Sequence, residues 1–194
     1  MPEGLLTGTF PGGTEQGLYV IDAIIHGKAL EYSAVDFQAY LTRERLSSAL
    51  AFRKALGEED RAAREVVTMF AKTVVRIGTV VASAAQRLGT QLELVPLDDP
   101  TGLRPGDALR VRLYYNNGPL ANAPITAIRA EDEADAPALT GKTNGSGESN
   151  LVLSRAGTWL IRTVQTVPRG AAPQGGVTEW ASYWASLTVR VIPK

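Results

Sequence analysis

Apolar and polar residues alternate in short runs through the second half of the chain, and turn-forming residues separate the runs. Residues 92–95, 108–113, 125–128, 150–153, 159–162 and 187–191 keep the two-residue period that turns one face of a strand into a core. Between them stand Arg104-Pro105-Gly106-Asp107, Asn116-Asn117-Gly118-Pro119, Thr143-Asn144-Gly145-Ser146-Gly147 and Ala156-Gly157. Asparagine and glycine accept the positive backbone angles that tight hairpins require. The pattern predicts an antiparallel β-sandwich, immunoglobulin- or prealbumin-like, over residues 90–194.

The first half reads differently. Residues 1–16 are rich in glycine, threonine and proline and predict a flexible lead-in. Residues 18–25 are strongly β-prone, stop at His26-Gly27, and need a partner, because a lone strand leaves backbone groups unpaired. Ser33 is an expected helix N-cap, followed by Phe37, Tyr40 and Leu41 on one face. Leu46, Ala49, Leu50 and Arg53 predict a second short helix, which Gly57 ends. Glu58-Glu59-Asp60 suit the positive end of a third helix, with Ala63, Val66, Val67 and Phe70 on its apolar face and Arg61, Arg64 and Glu65 elsewhere. From Thr73 the β-branched residues predict a switch to strand, although a helix continued through Ile77 fits nearly as well. The expected chain is thus mainly β with a helical N-terminal segment (α+β). It divides into the lead-in 1–16, a strand plus short helices over 17–89 packed on the sandwich, and the sandwich 90–194.

Composition removes several classes of function. Among 194 residues, 20 lysines and arginines balance 20 aspartates and glutamates, without the basic stripe of a nucleic-acid binder. No apolar run reaches the roughly 20 residues that cross a bilayer, so no membrane span is expected. Met1-Pro2-Glu3-Gly4 is not a basic region followed by an apolar run, so no export signal is expected in the chain as it stands. Cysteine is absent, which removes disulfides, thiolate nucleophiles and thiolate metal sites. Gly-x-Ser-x-Gly and phosphate-loop patterns are missing, and the expected protein is not an enzyme.

His26 is the single histidine. A metal reading has its imidazole bind Ni2+ or Co2+ with Asp22 or Glu31 alongside. The plainer reading, a strand-end histidine in solvent or on a carbonyl, is preferred, because one imidazole does not build a tight site. A homodimer that brings two copies together would strengthen the metal reading. Trp180, Tyr183 and Trp184, with Trp159, form the main aromatic concentration. They are either a stacking surface for a sugar or peptide, or core packing, and the latter is favoured. The acidic run Glu131-Asp132-Glu133-Ala134-Asp135 reads as a solvated loop rather than a cation site. Asn144-Gly145 reads as a hairpin turn rather than a calcium loop, and Asp98, Asp99 and Asp107 as turn residues that bond the backbone.

The order of phrases carries a resemblance. Lys28-Ala29-Leu30-Glu31-Tyr32 and Asp36-Phe37-Gln38-Ala39-Tyr40-Leu41 come first. Leu88-Gly89-Thr90-Gln91-Leu92-Glu93-Leu94-Val95-Pro96-Leu97-Asp98-Asp99-Pro100 follows, then Gly118-Pro119-Leu120-Ala121-Asn122-Ala123. Gly157-Thr158-Trp159-Leu160-Ile161-Arg162 and Trp180-Ala181-Ser182-Tyr183-Trp184-Ala185-Ser186-Leu187-Thr188 close the series. Across residues 18–192 the chain resembles a bacterial family of uncharacterised periplasmic proteins, often described as the periplasmic component of an ABC-type cobalt or nickel transport system. The resemblance implies a periplasmic, non-catalytic accessory or binding protein, with Ni2+ or Co2+ as candidate metals and a transporter or receptor component as partner. Family members usually carry an export signal and a further β-domain that begins near a histidine. Neither is expected in the chain as it stands, so a metal site that depends on that upstream histidine is not carried over. The competing expectation is a structural or carbohydrate- or peptide-binding sandwich of carboxypeptidase-regulatory or transthyretin type, without a metal role.

Overall fold

The computed structural model describes residues 15–79, 83, 85–133, 136, 138–169 and 178–194. The expected flexible lead-in, apart from Glu15 and Gln16, lies outside the described residues, as do residues 170–177 of the glycine- and proline-rich loop after Pro168.

The elements run β1 (Gly17–Tyr32), α1 (Ala34–Arg43), α2 (Ser47–Ala55), β2 (Ala63–Ile77), β3 (Leu92–Pro96), β4 (Ala108–Tyr115), β5 (Gly118–Pro119), β6 (Pro124–Arg129), β7 (Leu139–Lys142), β8 (Glu148–Val152), β9 (Gly157–Pro168) and β10 (Glu179–Val191). Six strands form one sheet in the order β1-β2-β10-β9-β6-β7. A second sheet has β3 on one side of β4, with β5 and β8 on the other. Apolar side chains of both sheets meet in one core: Leu92, Leu94, Leu109, Val111, Leu113 and Leu151 from the smaller, and Ile125, Trp159, Ile161, Leu187, Val189 and Val191 from the larger. The chain is therefore mainly β, with two facing sheets, as a β-sandwich has. Every strand run anticipated in the second half falls within or against one of these strands.

Turn chemistry behaves as the sequence suggests. Asn116 and Asn117 take φ of 48° and 66° between β4 and β5. Gly147 (φ 74°) has no alternative, since a Cβ there would lie 2.7 Å from the Leu113 carbonyl oxygen. Asn144 Oδ1 accepts from the N–H groups of Ser146 and Glu148, both at 2.9 Å, and so ties the turn before β8.

The region between β1 and the smaller sheet brings one correction. Residues 58–70 do not form a third helix; β2 begins at Ala63 and runs unbroken to Ile77. Two forces override the helical spacing. Val66, Val67, Thr68, Thr73, Val74 and Val75 are β-branched and suit a pleated sheet. The 16-residue β1 also leaves a row of backbone groups that only an adjacent strand satisfies. β2 supplies that strand, pairing antiparallel with β1 from Gly17↔Ile77 to Tyr32↔Ala63. On its other side it runs parallel to β10, from Glu179↔Arg64 to Thr188↔Thr73, so the larger sheet is not purely antiparallel.

The two helices connect β1 to β2 and cover part of the outer face of the larger sheet. Ser33 caps α1 as expected, its Oγ accepting from Asp36 N–H at 3.1 Å. Phe37, Tyr40 and Leu41 from α1 and Leu46 and Ala49 from α2 form a second core with Ala63, Val164 and Trp180. Helices of 10 and 9 residues are marginal alone and are held by this docking.

Candidate functional site

His26 sits with Gly27 in a bulge, where the β1–β2 register shifts between Ile25 and Lys28. Gly27 takes φ of 55°, which glycine adopts without strain. The imidazole is exposed. Asp22 precedes it by four residues and Glu31 follows by five, about 13 and 16 Å along an extended chain at roughly 3.3 Å per residue. Metal–ligand bonds are about 2 Å long, so a site shared with His26 would need these side chains to span most of that distance. Among the described residues no group of three or more histidines, aspartates or glutamates is placed to hold a metal.

The three aromatics of β10 do not form one platform. Trp180 is fully buried beneath the helices, 5.5 Å from Phe37 and edge-on to Phe52 at 5.7 Å. Trp184 lies on the same face, stacked on Tyr40 at 6.3 Å with the Arg162 guanidinium 5.1 Å over its ring. Tyr183 points to the opposite face, against Tyr115 and the inter-sheet core. Trp159, as expected, is buried in that core, its indole N–H bonded to the Arg155 carbonyl at 2.9 Å.

Under α1 lies a polar network around Glu65, a residue expected off the apolar face of a third helix. Glu65, 1% exposed, accepts from Ser182 Oγ through Oε1 and from Tyr32 OH through Oε2, the latter at 3.1 Å. Ser182 Oγ is 2.5 Å from Thr166 Oγ1 and takes a 3.3 Å bond from Tyr40 OH. Thus β1, α1, β2, β9 and β10 each contribute one group. The groups acting on Glu65 are hydroxyls, and burial pushes its carboxyl above the ordinary range while Ser182, Tyr32 and Tyr40 pull it back. Burial, reinforced by the neighbouring Glu65, pushes the Tyr32 phenol up to about 12. The same two causes raise Tyr40. This network joins the helical layer to the sheet.

The remaining anticipated carboxylates are structural. Asp98 pairs with Arg110, which holds its carboxyl below the usual range. Asp99 bonds Thr101 N–H at 2.9 Å, and Asp107 bonds Arg104 N–H at 2.8 Å, the backbone role expected of turn aspartates. In the acidic run, Asp132 is gripped by Arg129 and Arg155, and Glu131 accepts from Thr158 N–H. Ala134 and Asp135 lie outside the described residues.

What the described surface offers instead is the rim of β1. It is the terminal strand of the six-stranded sheet, with β2 on one side and no strand among the described residues on the other. Ile21, Ile24 and Ile25 are exposed along it, Ile25 by 59%, and the adjoining Met69 of β2 by 44%. Ile25 and Met69 are directly paired, so their side chains share one face. The other rim, β7, has four residues.

Fold and site together define a mainly β protein of two facing sheets, capped by two helices on one face, with its interior charges sealed and a long apolar strand at its rim. The chain belongs to the family described as Domain of unknown function (DUF4198), whose model matches residues 7–167. No curated protein and no solved structure matches the chain.

Proposed function

We propose that the protein is a non-catalytic periplasmic accessory or binding protein associated with nickel or cobalt uptake, which docks a transporter or receptor component along the open rim of β1. The location and the transport context come from the family resemblance of the sequence. The docking surface comes from one observation: a 16-residue rim strand that displays Ile21, Ile24 and Ile25 to solvent. An exposed, long, apolar rim is a template for added strands, and proteins without a use for one blunt it with charge, proline or brevity. β7 shows such brevity, whereas β1 has no proline and a single charged residue, Asp22, over residues 18–25. The same proposal reads the two sheets as an immunoglobulin- or prealbumin-like sandwich. A sugar- or peptide-stacking role for Trp180, Tyr183 and Trp184 draws less support, since their rings face different surroundings.

The test compares wild type with Ile21→Lys/Ile25→Lys in gently solubilised envelopes of the native host. Wild type is expected to elute within a larger assembly and the double variant at monomer size, with unchanged circular dichroism. Wild type at monomer size, or both proteins in the same assembly, would overturn the proposal.

A further inference from the structure

Four polar atoms around the end of α2 have no hydrogen-bond partner among the described residues: Nε and Nη1 of Arg53, Oε2 of Glu58 and Nε1 of Trp180. Arg53 and Trp180 are fully buried and Glu58 is 6% exposed. Shared neighbours place them in one corner. The Arg53 guanidinium lies 5.0 Å from the Phe37 ring, and that ring lies 5.5 Å from Trp180. Phe52, next to Arg53 in the chain, meets Trp180 edge-on at 5.7 Å. Glu58 N–H donates to the Arg53 carbonyl at 2.9 Å, and Glu58 Oε1 accepts from Thr178 Oγ1, two residues before Trp180, at 2.8 Å.

The rest of each group is already engaged. Arg53 Nη2 donates to the Glu59 and Arg61 carbonyls at 3.1 and 2.8 Å, which fixes the guanidinium plane. Burial lowers the affinity of Arg53 for its proton, and Glu58 and Glu59 offset that. Buried polar atoms without partners are rare in folded proteins, and several in one place call for a common partner. Its chemistry follows from the atoms. Arg53 and Trp180 present N–H donors, whereas the Glu58 oxygen accepts, so the partner both accepts and donates. Arg53 and Glu58 cancel in formal charge. A bound anion would face the Glu58 oxygen, and a bound cation the guanidinium, so a neutral molecule fits best. Close packing among Phe37, Phe52 and Trp180 keeps it small.

We propose that this corner is a binding site for internal water, one or two molecules that bridge the N–H groups of Arg53 and Trp180 to Glu58 Oε2. Such water joins α2, the turn after it and the start of β10, so the helical layer is attached to the sheet partly through solvent. The site does not depend on the function proposed above.

Water contacts of the 15N-labelled full chain, measured by NOESY and ROESY, test it, with Trp180→Phe assigning the indole proton. The Trp180 indole proton is expected to show a dipolar cross-peak to water in both spectra, with the sign of a residence time longer than about a nanosecond. The Trp159 indole, which donates to Arg155, serves as a control without such a peak. Glu58→Leu is expected to remove the Trp180 peak from an otherwise folded spectrum. No dipolar water peak at Trp180 in wild type, or its persistence unchanged in Glu58→Leu, would overturn the proposal. If Glu58→Leu does not fold, the wild-type spectrum decides alone.

Discussion

Lys72 Nζ lies 2.5 Å from Glu93 Oε1 between the two sheets, with both side chains almost wholly buried. Glu93 also accepts from the N–H groups of Leu88 and Gly89, at 2.7 and 3.1 Å, so one carboxylate fastens β2 and the approach to β3 together. Arg87 adds a cation over the Tyr114 ring at 3.9 Å.

Removing one member of a buried ion pair leaves the other uncompensated, at a cost of about 3–5 kcal/mol. Lys72→Met is expected to lose that much stability in urea unfolding followed by tryptophan fluorescence. Lys72→Met/Glu93→Gln is expected to recover part of it, because the amide carries no charge yet its oxygen still accepts from the loop. Equal stability of the two variants would show that charge is not what the pair contributes.

Glu65 predicts a pH dependence of definite sign. Its folded-state pKa is raised by burial, so between the unfolded value and that raised value the native state binds more protons than the unfolded chain. Stability from this group is greatest below the unfolded value and is lost as pH rises through the folded one. Glu65→Gln lacks that slope, so the stability of the variant relative to wild type is expected to increase from acidic to neutral pH. Paired urea titrations across that range check it, and a constant difference would refute it.

Trp180→Ala removes a fully buried indole from beneath both helices and is expected to cost about 3–5 kcal/mol. Trp184→Ala, at a half-buried ring stacked on Tyr40, is expected to cost less. Thermal unfolding of the two variants ranks them.

His26 is exposed in its bulge, and among the described residues no group of three or more histidines, aspartates or glutamates is placed to hold a metal, so metal uptake is expected to rest on the docked partner rather than on this chain. Calorimetric titration of the metal-stripped protein with Ni2+ and Co2+ is expected to give no saturable heat and to look the same for His26→Ala. A one-to-one isotherm that His26→Ala abolishes would contradict this.

The sequence made β3, β4, β6, β8, β9 and the end of β10 legible because their runs are short, β-prone and separated by turn residues such as Pro105-Gly106 and Asn144-Gly145, whereas β5 falls in a segment that reads as a turn and no anticipated run covers β7. Ser33 and the Phe37, Tyr40, Leu41 stripe marked α1 for the same reason, a local periodicity with a local cap. β2 is hidden locally because Ala63, Val66, Val67 and Phe70 satisfy a helical spacing, and the β-branched residues together with the need of the distant β1 for a partner decide against it. Glu65 followed it into error: the hydroxyls that bury it come from Tyr32, Tyr40 and Ser182, up to 117 positions away. Glu93 stands at the polar position of an alternating run, yet all five residues of β3 are buried. Long-range pairing, not local propensity, hid these groups.

The docking surface is tested most directly by site-specific photo-cross-linking in the native host, with a photoreactive residue at Ile21 or Ile25 on β1, or at Thr140 on β7. Adducts to one transporter or receptor component from the β1 positions, and none from Thr140, are the expected result. Absence of β1 adducts, or the same adducts from both rims, would contradict the account.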